Sequence, residues 1–327
     1  MVKLKDIADA CGVSIATVSR ALNGLANENR ERTVFICRTA KEMGYYPNNA
    51  ARTLKTSRSN NIGIIYQDMM THTYFSGLFD AIRREAEIRR YDLTFIDRDD
   101  FTGRHYYEHA RQRNMDGVIV VQAEFEAAGI MQLATSSVPT VVIDHVYEGA
   151  DCVLTDNRTS MEQIVRHVYE RGHRRIAFIQ GQKGTVSCER LAGFYKACTE
   201  LGLRVPAEYI REGYFQNGPK CAEFIMEFLR LPEPPTCILC PDDTSAIGAI
   251  IQLQAKNIRV PEDVGLVGYD GIPMGQNIIP RLTTYSQDTV QIAQDIFWLL
   301  SDAIEDPERH IPTKIRAVGR LIEGETV

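Results

Sequence analysis

The chain has 327 residues, long for one ordinary domain and suited to two or three compact units. Hydrophobic residues are 44% and charged residues 24% of it, a globular balance; the short, interrupted apolar runs exclude a bilayer-spanning segment, and the start MVKLKDIADACGV has no secretory apolar stretch, so a cytoplasmic protein with reduced thiols is expected. Residues 1–60 hold ten Lys/Arg against five Asp/Glu, about +5 in a chain of -6, so the remainder is about -11, and a basic start on an acidic protein points to a polyanion partner for that segment alone.

Residues 4–22 split into two short amphipathic pieces. Ile7 and Ala8 on the first, and Val18, Ala21 and Leu22 on the second, face one small core. Gly12 stands where the turn between them needs positive φ, and Ser14 is a natural N-cap for the second helix. A third helix is expected from about Arg30 to Met43, with Asn29 as cap, Phe35, Ile36, Ala40 and Met43 as its apolar positions, and Gly44 as its end. Pro47 forbids continuation; Asn48 can cap a short helix over residues 49–55, and the polar TSRSNN that follows reads as a linker.

From Ile62 the pattern changes. IGIIY reads as a buried strand, FSGLFDAIRREAEIRR as an amphipathic helix and DLTFID as a second strand. The alternation continues through MDGVIVV, VPTVVID, MEQIVRHVYERG, RIAFIQG, ERLAGFYKACTELG, KCAEFIMEFLR, TCILC, SAIGAIIQLQAK and VGLVGYD, the order of an α/β domain with parallel sheets. Cys237 and Cys240 form a lone CxxC inside an apolar run, without a second pair or nearby histidines; buried strand thiols are the expectation, and no metal or cofactor is.

Two helices joined by a glycine turn within about 20 residues are a helix-turn-helix signature. The second helix would enter the major groove by its N-terminal end. Ile15 and Ala16 then offer apolar contact, for instance to a thymine methyl, and Arg20 a bidentate contact to guanine. Thr17 and Ser19 carry hydroxyls suited to phosphates. A plain three-helix bundle with a polar surface stays open on this pattern alone. The short helix after it, with Ala50 and Ala51, is marginal by itself. Pressed against a second copy and a minor groove it can form, with Leu54 as an apolar wedge and Arg52, Lys55 and Arg58 near phosphates.

KDIADACGVSIATVSRALN, followed by GYYPNNAARTLKTSRSNNIGIIY, resembles the start of a LacI/GalR-family repressor. The resemblance runs over nearly the whole chain, through TDN at residues 155–157, RGHRRIAFIQG, RLAGF, VPEDVGLVGYD and LTTYSQD. It implies an all-α helix-turn-helix headpiece (residues 1–46), a hinge helix and linker (47–60), and an α/β periplasmic-binding-protein-like domain (61–327) of two parallel-sheet subdomains. These would take about 61–156 with 287–317, and about 157–286 with 318–327. It also implies a homodimer on palindromic operator DNA, with base reading by Ile15, Ala16 and Arg20. Backbone contacts fall to Ser14, Thr17, Ser19, Asn23, Asn29, Tyr45 and Asn48, and minor-groove insertion to Ala51, Leu54 and Lys55. The chain departs from the family at Glu28-Asn29, where Val-Ser is usual, at Arg32-Thr33 for Thr-Arg, and at His72-Thr73 for Asn-Pro. The final GRLIEGETV adds no heptad segment, so a dimer is expected in preference to a tetramer.

Ligands of open α/β sheets bind beyond the carboxyl ends of strands. Asp144, Asp242, Asp243 and Asp270 follow such strands, Arg190 opens RLAGF and Gln287 lies in YSQD. In the family these positions line an effector cleft, to which Thr73, Tyr74, Phe75 and Phe215 are added. Arg190 and Asp270 suit adjacent sugar hydroxyls, one donating in a fork and the other accepting, and an aromatic face stacks on a sugar ring. Asp243 and Asp156 also fit plain turn or capping roles. Asp242 stands where the family commonly has Asn; an acid beside Asp270 disfavours an anionic effector and fits a neutral polyol. A nucleobase could be held by the same pair, or a partner protein could be the regulator. A transport protein would share the second domain but lack the headpiece. An enzyme would need a catalytic constellation, and there is no GxSxG, GxxxxGK[ST] or strand-linked GxGxxG.

Overall fold

In the computed structural model, which describes residues 2–22, 30–46, 58–67, 72–97 and 105–327, the chain forms two compact units, Met1–Ser59 and Asn60–Val327. The first contains α1 (Leu4–Cys11), α2 (Ile15–Leu22) and α3 (Arg30–Glu42). Its core is Ile7, Ala8, Val18, Ala21, Ile36 and Ala40, with Leu22, Met43 and Tyr45 packed at the edge. Gly12, at φ 64, ends α1 in the left-handed region. Ser14 Oγ accepts the Thr17 N–H at 3.1 Å, the N-cap of α2. Phe35 departs from its expected inward position: it is 44% exposed, because Ile36 and Ala40, four apart, take the inward face and Phe35 lies about 100° round the helix.

The second unit holds two six-stranded sheets. The chain first builds β1 (Asn61–Tyr66), α4 (Thr73–Arg89), β2 (Asp92–Phe95), α5 (Tyr106–Gln112), β3 (Gly117–Gln122), α6 (Ala128–Ala134), β4 (Thr140–Ile143) and β5 (Asp151–Thr155). It then crosses to the second sheet through α7 (Asn157–Glu170), β6 (Ile176–Ile179), α8 (Thr185–Glu200), β7 (Ile210–Arg211), α9 (Gly218–Phe228), β8 (Cys237–Leu239), α10 (Asp243–Gln254), β9 (Gly265–Asp270) and β10 (Thr283–Ser286). α11 (Thr289–Glu305) and β11 (Lys314–Ala317) return to the first sheet, and β12 (Arg320–Ile322) ends in the second. The orders are β11-β5-β4-β3-β1-β2 and β12-β10-β9-β8-β6-β7.

Strands covered by helices on both faces must be apolar throughout. β1, β3 and β5 are buried almost end to end, and α4 and α11 lay Leu78, Ile82, Ile292, Ile296 and Leu300 on the first sheet. The first sheet is entirely parallel. The second is not: β12 runs antiparallel to β10, Tyr285 facing Leu321. The reason is the short link from β11. Two residues leaving the carboxyl end of β11 reach only the carboxyl end of β10, so the chain must run back along it. Gly319 makes that approach possible, since a Cβ there would sit 2.1 Å from the Ser286 carbonyl oxygen. Among the described residues no helix is long and apolar enough to cross a membrane.

Candidate DNA-reading surface and effector cleft

On α2, Val18 and Ala21 turn inward, which leaves Ala16 and Arg20, four residues apart, side by side on the outer face. Ile15 is 48% exposed at the N-terminal end, an apolar side chain that pays for no core contact. Thr17 and Ser19 are half-buried, and the Ser14 and Thr17 hydroxyls share a hydrogen bond of 2.9 Å. Ser14 thus serves the helix cap, and Tyr45 packs on the headpiece core. Asn23, Asn29, Asn48, Ala51, Leu54 and Lys55 lie outside the described residues. The described face offers apolar contact at a helix N-terminus and an exposed arginine one turn on, the chemistry of base-edge reading.

In the second unit the carboxyl edges of the sheets bring Asp144, Arg190, Asp270 and Tyr74 together. α8 points Ser187, Arg190, Phe194 and Ala197 inward, so the helix period buries an arginine, 6% exposed. Its Nε donates to Asn157 Oδ1 at 2.8 Å and its Nη1 to the Pro241 carbonyl at 2.9 Å, while the guanidinium lies 3.4 Å over the Tyr269 ring. Tyr269 is held in turn by Ser160, hydroxyl to hydroxyl at 2.7 Å.

The two acids sit on sharp backbone turns, Asp144 at φ 54 and Asp270 at φ 110, a region that non-glycine residues seldom occupy. Asp144 accepts the Thr155 N–H at 2.8 Å, and Asp270 accepts the Gln287 side-chain amide at 2.7 Å. Burial pushes the Asp144 carboxyl up; the Thr155 bond and Arg190 oppose it. Burial pushes Asp270 up further, with Arg190 opposing and Asp242 and Asp243 adding to the rise. Tyr74, from the first turn of α4, is 6% exposed, and its hydroxyl has no hydrogen-bond partner among the described residues. Burial, then Asp144 and Asp270, push that phenol well above its usual range. A desolvated hydroxyl without a partner costs about 1–3 kcal/mol, so a ligand hydroxyl there recovers free energy. Phe75 stands against Tyr74 and Tyr66, ring centres 5.1 and 5.2 Å away. Phe215 lies across the end of β6, where a Cβ on Gly181 would overlap its ring at 2.0 Å.

Other expected cleft residues are placed differently. Asp242 is 2% exposed, and its oxygens accept Ser245 N–H (2.7 Å), Ser245 Oγ–H (3.0 Å) and Gln216 N–H (2.7 Å). It caps α10, because the open N–H groups of a first helical turn draw an adjacent carboxylate, and it reaches Asp270 only through its charge. Asp243 is fully buried, accepts Thr284 Oγ–H and Ile272 N–H at 2.5 and 2.8 Å, and is pushed up by burial to about 7. Asp156 caps α7 through Thr159 N–H. Gln287 is 7% exposed and bonded at both ends of its amide, and Thr73 is exposed. Cys237 and Cys240 are buried thiols; among the described residues no group of three or more His, Cys, Asp or Glu could hold a metal ion. Residue-by-residue reading misses Asn157, Tyr269 and Thr155. The signal for them is the polar TDN at a strand-to-helix junction and the tyrosine beside Asp270.

A groove of about 670 Å³ lies elsewhere, between α4 and β2, lined by Phe79, Tyr91, Leu93 and Phe95. Ile88 on the same helix is 72% exposed, and on the second subdomain Ile251, Met274 and Ile279 are exposed at 61%, 56% and 88%.

Residues 3–48 match the family model of bacterial regulatory proteins of the lacI family, and residues 165–327 match that of the periplasmic binding protein-like domain. The chain is 30% identical over 340 residues to the HTH-type transcriptional repressor PurR of Escherichia coli O139:H28, covering all of this chain and 97% of that one. It is similar to the solved complex of the transcriptional regulator CelR with cellobiose, at 25% identity, TM-score 0.70 and full coverage of both chains. It shares the fold of the lac repressor dimer bound to operator and an anti-inducer, at TM-score 0.79 and 23% identity over 99% of this chain and 98% of that one.

Proposed function

The chain belongs to the lacI family of bacterial regulatory proteins and is a DNA-binding transcriptional repressor, and from that premise we propose that it represses carbohydrate-utilisation genes under the control of a small neutral sugar. The observation that carries the sugar reading is one buried cation, Arg190, set among two buried carboxyl groups, each pushed up by burial, and a Tyr74 hydroxyl without a hydrogen-bond partner among the described residues. Such a site accepts and donates hydrogen bonds at closely spaced points and offers too little positive charge for a phosphate. The similarity to a cellobiose-bound regulator supports the same reading.

Two copies grip a palindromic operator. Ile15, Ala16 and Arg20 read the major groove of each half-site, and paired hinge segments press Leu54 into the minor groove at the centre. The lac repressor dimer supports the assembly; the groove of α4 and β2, lined by aromatic (Phe79, Tyr91, Phe95) and charged (Arg83, Glu87, Arg90, Asp92) side chains, and the exposed Ile251, Met274 and Ile279 are the candidate contacts of the second copy. Effector binding rotates the two subdomains, changes the spacing of the hinge segments and so shifts operator affinity.

The test is calorimetry with cellobiose, ribose, glucose-6-phosphate and hypoxanthine, followed by operator titration with each binder. A neutral sugar is expected to bind tightest and to change operator affinity about ten-fold or more, its sign assigning inducer or corepressor. Tighter binding of the sugar phosphate overturns the neutral-sugar reading, and binding of hypoxanthine alone moves the effector to the nucleobases.

A further inference from the structure

We propose that Thr155 and Gln287 are positioning residues: they join the acid on each wall of the cleft to two of the three chain crossovers between the subdomains. The inference rests on the reading of the cleft as the effector site. Thr155 ends β5 at the first crossover, and Gln287 follows β10 at the second. From the first wall, Asp144 Oδ1 accepts the Thr155 N–H at 2.8 Å. The Thr155 hydroxyl donates to Gln287 Oε1 at 2.6 Å, and Gln287 Nε2 donates to Asp270 Oδ1 on the second wall at 2.7 Å. Thr155 and Gln287 are 3% and 7% exposed, so water does not compete for these bonds.

The order of donors is dictated by chemistry. Gln287 turns Nε2 to Asp270 Oδ1 and Oε1 to Thr155, and because an amide oxygen only accepts, the Thr155 hydroxyl has to donate. The threonine therefore fixes the amide, and the amide fixes the acid. The backbone is coupled at the same place. A Cβ on Gly271, directly after Asp270, would sit 2.4 Å from the Ser286 Cβ, and one on Gly319, in the third crossover, 2.1 Å from the Ser286 oxygen. The turn that presents Asp270 thus touches the second crossover at Ser286, where the third crossover also packs, and a ligand pulling on Asp270 pulls on that junction. Arg190, Asp242, Asp243, Tyr74 and Tyr269 are the charged or titratable groups that interact with Asp270, and none of them takes part in the relay.

The test needs no effector, so it fails or succeeds independently of what the cleft binds. The side-chain carboxyl of Asp270 is titrated by carbon-13 NMR in the full-length protein with labelled aspartate, the signal being identified by its loss in Asp270→Asn. Thr155→Val keeps the shape and removes the hydroxyl, and Thr155→Ser restores it. Without its anchor the Gln287 amide no longer holds a donor on the carboxylate, so the Thr155→Val midpoint is expected to rise by about half a pH unit or more, roughly a three-fold gain in proton affinity. Thr155→Ser is expected to return it to the wild-type value. An unmoved midpoint in Thr155→Val, or the same shift in Thr155→Ser, overturns the relay. Should Thr155→Val fold poorly, Gln287→Leu gives the same readout from the middle of the chain of bonds, and an unmoved midpoint there overturns it equally.

Discussion

The two units of this repressor keep their candidate site residues in opposite places. Among the described residues the headpiece rests on six buried side chains, none larger than isoleucine, and leaves Ile15, Ala16 and Arg20 on its surface. The second unit has two large sheets and buries its candidate site residues: Arg190 at 6% exposure, with Asp144, Asp270 and Tyr74 around it. A core that small has no apolar burial to spare for a desolvated charge, so its chemistry has to face outward, toward a polyanion that brings its own counter-charge. A unit of this size can offset several kcal/mol per buried ion, and so can hold a charged side chain ready for a small ligand.

The contrast can be broken at its weakest point first. Ile36→Ala is expected to cost about 2–5 kcal/mol, enough to unfold so small a core. Operator binding should vanish while calorimetry finds ligand affinity within about two-fold of wild type; intact operator binding would mean the headpiece does not depend on its own core. In the large unit, Asp243 titrates at about 7 when folded and near 3.9 when unfolded. The folded state then holds the extra proton between those values, so stability falls as pH rises from about 4 to 7 and levels off above. Asp243→Asn should remove that fall, worth roughly 2–4 kcal/mol between urea unfolding at pH 5 and at pH 8. An identical pH dependence in both proteins would place the buried proton elsewhere.

Two smaller effects sharpen the comparison. Arg190→Ala removes the Pro241 carbonyl's donor, leaves Asn157 Oδ1 with only the Tyr269 hydroxyl at 3.3 Å and removes the cleft cation, so ligand affinity should drop about 100-fold with operator affinity in the absence of ligand retained. Retained ligand binding would exclude Arg190 from the site. Arg20→Ala should cost about 1–3 kcal/mol at one guanine per half-site and leave other positions unchanged. A uniform loss across all operator variants, measured by competition titration, would make Arg20 a phosphate contact instead of a base reader.

Much of this was legible from local chemistry. The positive φ of Gly12, the Ser14 cap and the inward Val18 and Ala21 follow from backbone sterics and helix period, which act within a few residues. The same holds for the buried strands β1, β3 and β8, whose unbroken apolar runs leave few alternatives. Reading was less complete where an element shows its meaning only against a distant neighbour. α11 went unnamed although seventeen residues long, and β12, three residues long, takes its antiparallel direction from where the chain happens to arrive. Among four strand-end aspartates, pattern alone does not separate Asp144 and Asp270, which face the cleft, from Asp242 and Asp243, which cap a helix and brace a turn.

By itself the amino-acid order determined a small basic helix-turn-helix unit ahead of a long α/β unit and the outward face of α2, because charge, helix period and turn residues are properties of neighbours in the chain. The tertiary structure alone decided which polar side chains meet. Arg190, Asn157 and Pro241 converge from α8, α7 and the end of β8, and Thr155 finds Gln287 across 132 positions of sequence. Hydrogen bonds and desolvation act over a few ångströms of space, and only the packing of the two sheets sets those distances.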